Sequence, residues 1–477
     1  MSIPIQGMSR EKIMQTLEEY RKDDVDWRSG KVFAYTFSAG EEYDELIKEA
    51  YMKFLTENGL DPTSFPSLAR IEREVVRFVI DLLRGGEKAV GNFTSGGTES
   101  IMLAIKTARD KAAAEKPHIN NPEMVVPRSA HSAFHKAAQY FGLKLMMTPC
   151  HDDFTADVKS MREAINENTI IIAASAPGYA QGVIDPIGEI GELALEYDLL
   201  FHVDACMGGI MLSFMREMEE YNVPDFDFSV PGVTSISADL HKFGYAAKGA
   251  SVITYRNKEI RKHQIFATTS TTAYAMFNAT MLSSKSGGPM AGAWAIINYL
   301  GWEGYMKITR EVMEASRRMM EGINNIDGLY VLGAPIMSIF SFAAENVNVF
   351  QLADLMSRRG WYIQPQFSNE NAPHNLHLTF MRLNVPRVDE FLRDLAECVE
   401  ELQASENQID INAVHEQVQA MLESFGDDVV PQLLSMAGID EGTSKLEGMA
   451  MISCILDALP RHISKALLVE FVNNLYT

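Results

Sequence analysis

The sequence predicts an α/β fold in which a mostly parallel sheet is buried between helical layers. Three observations point there. From about residue 71 to residue 255, short apolar runs alternate with helix-patterned stretches, the interleaving that parallel strands joined by helical crossovers require. The runs are almost continuously apolar rather than alternating, as expected of strands covered on both faces. Two of them stop at a charged residue, and in such sheets ligands collect at the carboxyl ends of strands.

Residues 1–70 read as helical segments and loops, with turn signals at Gly59-Leu-Asp-Pro62 and Phe65-Pro66. A large domain is expected over 71–310. Its strand runs are Glu123-Met-Val-Val126, Lys144-Leu-Met-Met-Thr148, Thr169-Ile-Ile-Ile-Ala-Ala174, Leu199-Leu-Phe-His-Val203, Thr234-Ser-Ile-Ser237 and Ala250-Ser-Val-Ile-Thr-Tyr255. A long helix follows over 291–323, broken near Gly301. Strand-like runs at Leu329–Leu332, Ile336–Phe342, Trp361–Gln364 and Leu376–Phe380, with helix between them, predict a small α/β domain over 311–405. The tail, 406–477, is acidic and helical, with Val414, Val418, Met421, Leu422 and Phe425 on one face. It carries no chemical motif, so packing or subunit contact is its expected role.

Bulk properties exclude several classes. A chain of 477 residues carries two or three domains. With 64 acidic against 42 basic residues the net charge is −22, a field that opposes nucleic acid and anionic lipid. The four cysteines (Cys150, Cys206, Cys398, Cys454) are scattered, the usage of a reducing compartment. The N-terminus shows no apolar signal core, and no run reaches the ~20 apolar residues of a membrane span. A soluble, cytoplasmic protein is expected.

Two charged residues close strand-like runs: Asp204 in Leu199-Leu-Phe-His-Val-Asp204, and Lys242 in Ser235-Ile-Ser-Ala-Asp-Leu-His-Lys242. Each alone reads more readily as a solvated loop end. Together they are what pyridoxal 5'-phosphate needs, an amine to hold its aldehyde as a Schiff base and a carboxylate to keep its ring nitrogen protonated. Thr94-Ser-Gly-Gly-Thr-Glu-Ser100 precedes an amphipathic helix. There Ser95, Gly96, Gly97 and Thr98 can cradle a phosphate with backbone amides and hydroxyls at a helix N-terminus; a capped helix after a turn is the plainer alternative. Dinucleotide and P-loop glycine motifs are missing. His131, in Ser129-Ala-His-Ser-Ala-Phe-His-Lys136, can stack on a pyridine ring. With His135 it also has metal-ligand spacing, but the glutamate of a zinc-protease helix is missing, so no metal is expected. His241 is placed to meet the cofactor phosphate, and Lys248 adds a second cation that can bind a substrate anion or move a proton.

These motifs, with His202-Val-Asp-Ala-Cys-Met-Gly-Gly209 and Gly232–Gly249, are collinear with, and resemble, the sphingosine-1-phosphate lyase branch of the group II pyridoxal-dependent decarboxylase family. The resemblance runs from about residue 30 to 400. It implies a large domain of pyridoxal phosphate fold type I (aspartate-aminotransferase-like), a small C-terminal domain, and a homodimer with active sites at the interface. It makes Lys242 the Schiff-base lysine, Asp204 the partner of the ring nitrogen, His131 the stacking imidazole, and Lys248 the second active-site lysine. Ser95, Gly96, Gly97, Thr98 and His241 become the phosphate cradle. Departures sit at the substrate end. Asp61 replaces the histidine of a Leu-His-Pro turn, and Ser38 stands where the lyases have a tyrosine, with Tyr35 nearby. Lys285 replaces an arginine, and Tyr274 is the one tyrosine left in the 270–276 loop.

The expected function is a pyridoxal phosphate-dependent carbon–carbon lyase acting at Cα of a small-molecule amine or amino acid. Because Asp61 would repel a phosphate, amino-acid decarboxylation is preferred over retro-aldol cleavage of a phosphorylated amino alcohol. Lys242, His131, Lys248 and Tyr274 are the candidate catalytic residues. A non-catalytic cofactor-binding or assembly protein is the alternative from another class.

Overall fold

The computed structural model describes residues 3–270, 275–429 and 449–475. Its centre is a seven-stranded sheet with strand order β1-β7-β6-β5-β4-β2-β3. The strands are β1 (Val90–Thr94), β2 (Glu123–Pro127), β3 (Lys144–Thr148), β4 (Thr169–Ser175), β5 (Leu200–Asp204), β6 (Ser235–Ala238) and β7 (Ser251–Tyr255). Neighbours from β6 to β3 pair in parallel, whereas β7 is antiparallel to both β6 and β1. β7 is therefore the one reversed strand of this sheet, and β1, β2, β4, β5 and β6 all end at the same edge. Every residue of β2, β4, β6 and β7 is buried, the physical reason these runs read as uninterrupted apolar stretches. β1 was not apparent from the sequence: Gly91 and Asn92 interrupt its apolar character.

Helices cover both faces. The helix Ile187–Glu196 buries Ile187, Ile190, Leu193 and Ala194 on one stripe, each large aliphatic contributing about 1.5–3 kcal/mol on full burial. The long helix Gly288–Asn324 bends at Gly301, whose φ of 57° suits glycine. The helix Glu41–Lys53 packs along it, with Tyr51 and Ile47 close against Gly288 and Gly292.

A second, antiparallel sheet has the order β10-β11-β13-β12, formed by Leu329–Val331 (β10), Ile339–Ala344 (β11), Asn375–Thr379 (β13) and Gln364–Gln366 (β12). Between the two sheets in sequence, Phe266–Thr268 (β8) and Met276–Asn278 (β9) form a two-stranded ribbon, also unanticipated. The chain near Phe33 belongs physically with the small sheet. Phe33 N donates to Tyr362 O at 3.0 Å and Thr379 N to Phe33 O at 2.8 Å, and the Phe33 ring lies 5.0 Å from Phe391 and 5.9 Å from Trp361.

In the tail, the helix Ile411–Phe425 buries Val414 and Val418 and leaves Phe425 exposed. The helices Met449–Ala458 and Arg461–Leu475 follow. Among the described residues no helix is long and apolar enough to cross a membrane.

Candidate active site

The common carboxyl edge of the large sheet gathers most of the predicted residues around one cavity of about 400 Å³, within the range of small-molecule sites. Its walls include Ser95, Gly96, Gly97 and Thr98 after β1, His131 after β2, Tyr179 after β4, Asp204 at the end of β5, and Asp239, His241 and Lys242 after β6. Residues up to 147 positions apart in sequence meet because five same-direction strands end together.

Lys242 Nζ lies 2.9 Å from Asp239 Oδ2. Burial works against the ammonium, but Asp239 beside it outweighs that penalty and raises the lysine pKa. Burial likewise opposes ionisation of Asp239, yet Lys242 and then His241 hold its carboxyl below the usual range. His241 Nδ1 accepts from Ala250 N at 3.2 Å, leaving Nε2 to carry the proton of the neutral ring, 3.6 Å from Asp239 Oδ2. Burial pushes this histidine down to about 4 despite Asp239, so the ring is neutral at physiological pH.

Asp204 is buried and oriented from behind. Its Oδ1 accepts from Cys206 N at 3.1 Å and from Ser237 Oγ at 3.3 Å. The same hydroxyl is 3.3 Å from His202 Nε2, and His202 Nδ1 is 2.9 Å from Ser235 Oγ. Strands β5 and β6 thus lock the carboxylate through side chains that share one face of the sheet.

The glycine loop opens the helix Gly97–Glu115. Ser100 N makes the first intrahelical bond, to Gly96 O, so the preceding amides are available to an anion. A Cβ on Gly97 would meet Cys206 Sγ at 2.6 Å and Asp239 Oδ2 at 2.8 Å; only glycine lets the backbone come this close. Ser95 lines the cavity but is hydrogen-bonded within the protein. Its N–H and hydroxyl both donate to Glu99 Oε2, at 2.6 and 2.7 Å, and Glu99 Oε1 accepts from Met281 N at 2.7 Å. Both donors of Ser95 are engaged by Glu99 in this structure, whereas Thr98 and His241 line the cavity.

His131 is exposed in the protomer, its Nδ1 accepting from Ala133 N at 3.2 Å. The Tyr179 ring stands edge-on to it at 6.4 Å. Lys248 is outside the cavity wall. Its Nζ donates to His241 O at 3.3 Å and lies 4.7 Å over the Phe37 ring. Burial of the amine and repulsion from Lys242 push it down to about 8. Tyr274 lies outside the described residues.

The substrate-end departures are placed elsewhere. Asp61 and Lys285 line a separate cavity of about 650 Å³. Asp61 Oδ1 accepts from Thr63 N at 2.8 Å and Thr63 Oγ1 at 2.6 Å, and Oδ2 from Ser64 Oγ at 3.1 Å. Ser38 is buried, its hydroxyl 3.0 Å from both Asp44 oxygens, whereas Tyr35 reaches Tyr362 at 5.8 Å between rings. Sequence reasoning passed over Asp239, Tyr179 and Glu99. The i, i+3 spacing of Asp239 and Lys242 was the one available signal for an ion pair.

The donor set fits pyridoxal 5'-phosphate. An amine and a carboxylate face one cavity whose wall also carries the helix-start residues Gly97 and Thr98, with Gly97 packed too closely on Cys206 and Asp239 to admit a Cβ.

Comparison with known proteins agrees. Residues 1–344 match the pyridoxal-dependent decarboxylase conserved domain. Residues 412–474 match a C-terminal HTH domain described for pyridoxal-dependent enzymes, a stretch with nine acidic and three basic residues. The chain is 44% identical over 411 residues to the sphingosine-1-phosphate lyase of Arabidopsis thaliana, covering 84% of this chain and 74% of that one. A Pyrococcus furiosus protein named "Probable L-aspartate decarboxylase" is 35% identical over 363 residues, 76% of this chain and 95% of that one. The solved sphingosine-1-phosphate lyase of Burkholderia pseudomallei superposes with a TM-score of 0.80 at 34% identity, over 88% of this chain and 97% of that one. The large domain has pyridoxal phosphate fold type I. The chain belongs to the pyridoxal-dependent decarboxylase family, as a pyridoxal phosphate-dependent lyase similar to the sphingosine-1-phosphate lyases.

Proposed function

We propose that the protein is an aldehyde lyase that cleaves the Cα–Cβ bond of a phosphorylated long-chain amino alcohol. The supporting observation is its 44% identity across 84% of the chain to a sphingosine-1-phosphate lyase. This reverses the preference for decarboxylation drawn from Asp61. That carboxylate is bound by Thr63 and Ser64 in another cavity, so the repulsion argument does not apply to the lysine cavity of the same protomer.

Pyridoxal 5'-phosphate, when bound, supplies an aldehyde for the substrate amine and a ring that accepts the electron pair of the broken bond. Lys242 would be the attachment point. Asp204, fixed by Ser237 and the Cys206 amide, would hold the proton on the ring nitrogen. The amides of the helix start, the Thr98 hydroxyl and His241 would hold the phosphate, and His131 would pack against the ring. As the Cα–Cβ bond breaks, the β-hydroxyl oxygen loses a proton and Cα gains one. Lys248, with its pKa lowered to about 8, exchanges protons near neutral pH and is our candidate for the hydroxyl proton.

Incubating the loaded enzyme with a phosphorylated sphingoid base, and separately with a panel of amino acids, tests this. Equimolar fatty aldehyde and phosphoethanolamine are expected. Carbon dioxide from an amino acid, without aldehyde from the sphingoid base, would restore the decarboxylase reading.

A further inference from the structure

Asp239 lines the lysine cavity and has no part in the roles assigned above. It is 2% exposed, and its Oδ1 is buried without a hydrogen-bond partner. Its Oδ2 contacts both Lys242 Nζ at 2.9 Å and His241 Nε2 at 3.6 Å. It also borders the cradle, 2.8 Å from where a Gly97 Cβ would stand. A carboxylate beside an anion site repels the anion, and burying it with an idle oxygen adds a desolvation cost. Such a group is retained where a cation needs it. Nearby, buried hydroxyls run from Thr94 through Ser100 to Ser251, at 2.6 and 2.9 Å, and Ser251 helps Lys242 and His241 to hold the Asp239 carboxyl below its usual range.

We propose that Asp239 is a positioning residue that holds the Lys242 amine as an ammonium against the cavity wall whenever the amine is not covalently engaged, setting the pH at which it becomes reactive. This rests on Lys242 as the attachment point. With the cofactor bound, the proton that the substrate ammonium must shed in order to react would pass to the freed Lys242 amine, which would dock on Asp239 as an ammonium and return the proton to the departing product amine before engaging again.

The test follows Lys242 alone. Full-length protein stripped of cofactor is treated across a pH series with a small amine-selective acylating reagent, and each lysine is quantified by peptide mass spectrometry. The midpoint of the pH profile, rather than the absolute rate, separates charge from access. In the wild type, Lys242 should reach its midpoint above that of Lys159, whose side chain is 83% exposed. In Asp239→Asn the Lys242 midpoint should fall by about one to three pH units, and Asp239→Glu should recover most of the difference. Cofactor affinity, measured by equilibrium dialysis at fixed pH, should change in Asp239→Asn without loss of cooperative melting. A wild-type midpoint at or below that of Lys159, or equal midpoints in wild type and Asp239→Asn, would overturn the proposal even if the asparagine variant folds poorly. Lysine reactivity does not depend on which substrate bond is cut, so a failure here is distinct from a failure of the aldehyde-lyase reading.

Discussion

Tyr179 Oη donates a 2.7 Å hydrogen bond to Gln364 Oε1 and thereby joins the loop after β4 to the first residue of β12 in the small sheet. The Tyr179 ring lies 4.3 Å from the buried His377 ring, and His377 is itself held by Ala180 O at 3.0 Å and Thr379 Oγ1 at 3.1 Å. One edge of the cavity is therefore set by the docking of the two sheets. Burial keeps the Tyr179 phenol above its usual pKa, so it remains a donor at working pH.

Replacing Tyr179 with Phe keeps the ring and removes this bond, worth about 1 kcal/mol net. kcat/KM should fall roughly fivefold, and Gln364→Leu should do the same. If the bond is the shared element, the double variant will lose no more than the larger single loss. Steady-state kinetics on the three variants decide this, and fully additive losses would show independent roles.

Gly97→Ala places a methyl group 2.6 Å from Cys206 Sγ and 2.8 Å from Asp239 Oδ2. Cofactor titration should show at least about a tenfold weaker Kd, a change of roughly 1.4 kcal/mol. Adding Cys206→Ala should recover only part of it, because the Asp239 contact remains.

Burial holds His202, His241 and His377 each at about 4. Between there and about 6.5, the ordinary histidine value, the unfolded chain binds more protons than the folded one, so stability falls as pH drops through that window. Asp185, raised to about 6 by burial, and Asp44, also raised by burial, act in the opposite sense below their folded pKa values, whereas burial also lowers His135, His263 and His374, so the lowered histidines outnumber them. Melting temperature should therefore fall on acidification from pH 6.5 to 4. A flat profile would show that these rings are not buried neutral.

Lys248 gives a separate signature in catalysis. With its pKa lowered from 10.5 to about 8 by burial and Lys242, its free-amine fraction rises as pH increases through 8. If it accepts the hydroxyl proton, kcat should rise with pH around that midpoint. Lys248→Met should remove the step and lower kcat about a hundredfold or more.

The six strand runs between Glu123 and Tyr255 are legible because most of these strands are buried on both faces and continuity of apolar residues survives in the sequence; β3, at the sheet edge, is the exception with only Thr148 buried. Asp204 and Lys242 stood out as charges ending such runs. β1 was hidden because Gly91 and Asn92 break its pattern, and its place is fixed only by antiparallel pairing with β7. Asp239 carries no mark in the sequence beyond its spacing from Lys242; its burial and its pairing with that lysine exist only in three dimensions. Asp61 shows the opposite error, since its charge was legible but its partners Thr63 and Ser64 were not.

Borohydride reduction of the pyridoxal phosphate-loaded protein, followed by peptide mass mapping, tests the central assignment most directly. The pyridoxyl group should appear on Lys242 and vanish in Lys242→Ala. Recovery of the label on Lys248 or any other lysine of the unsubstituted protein would contradict it.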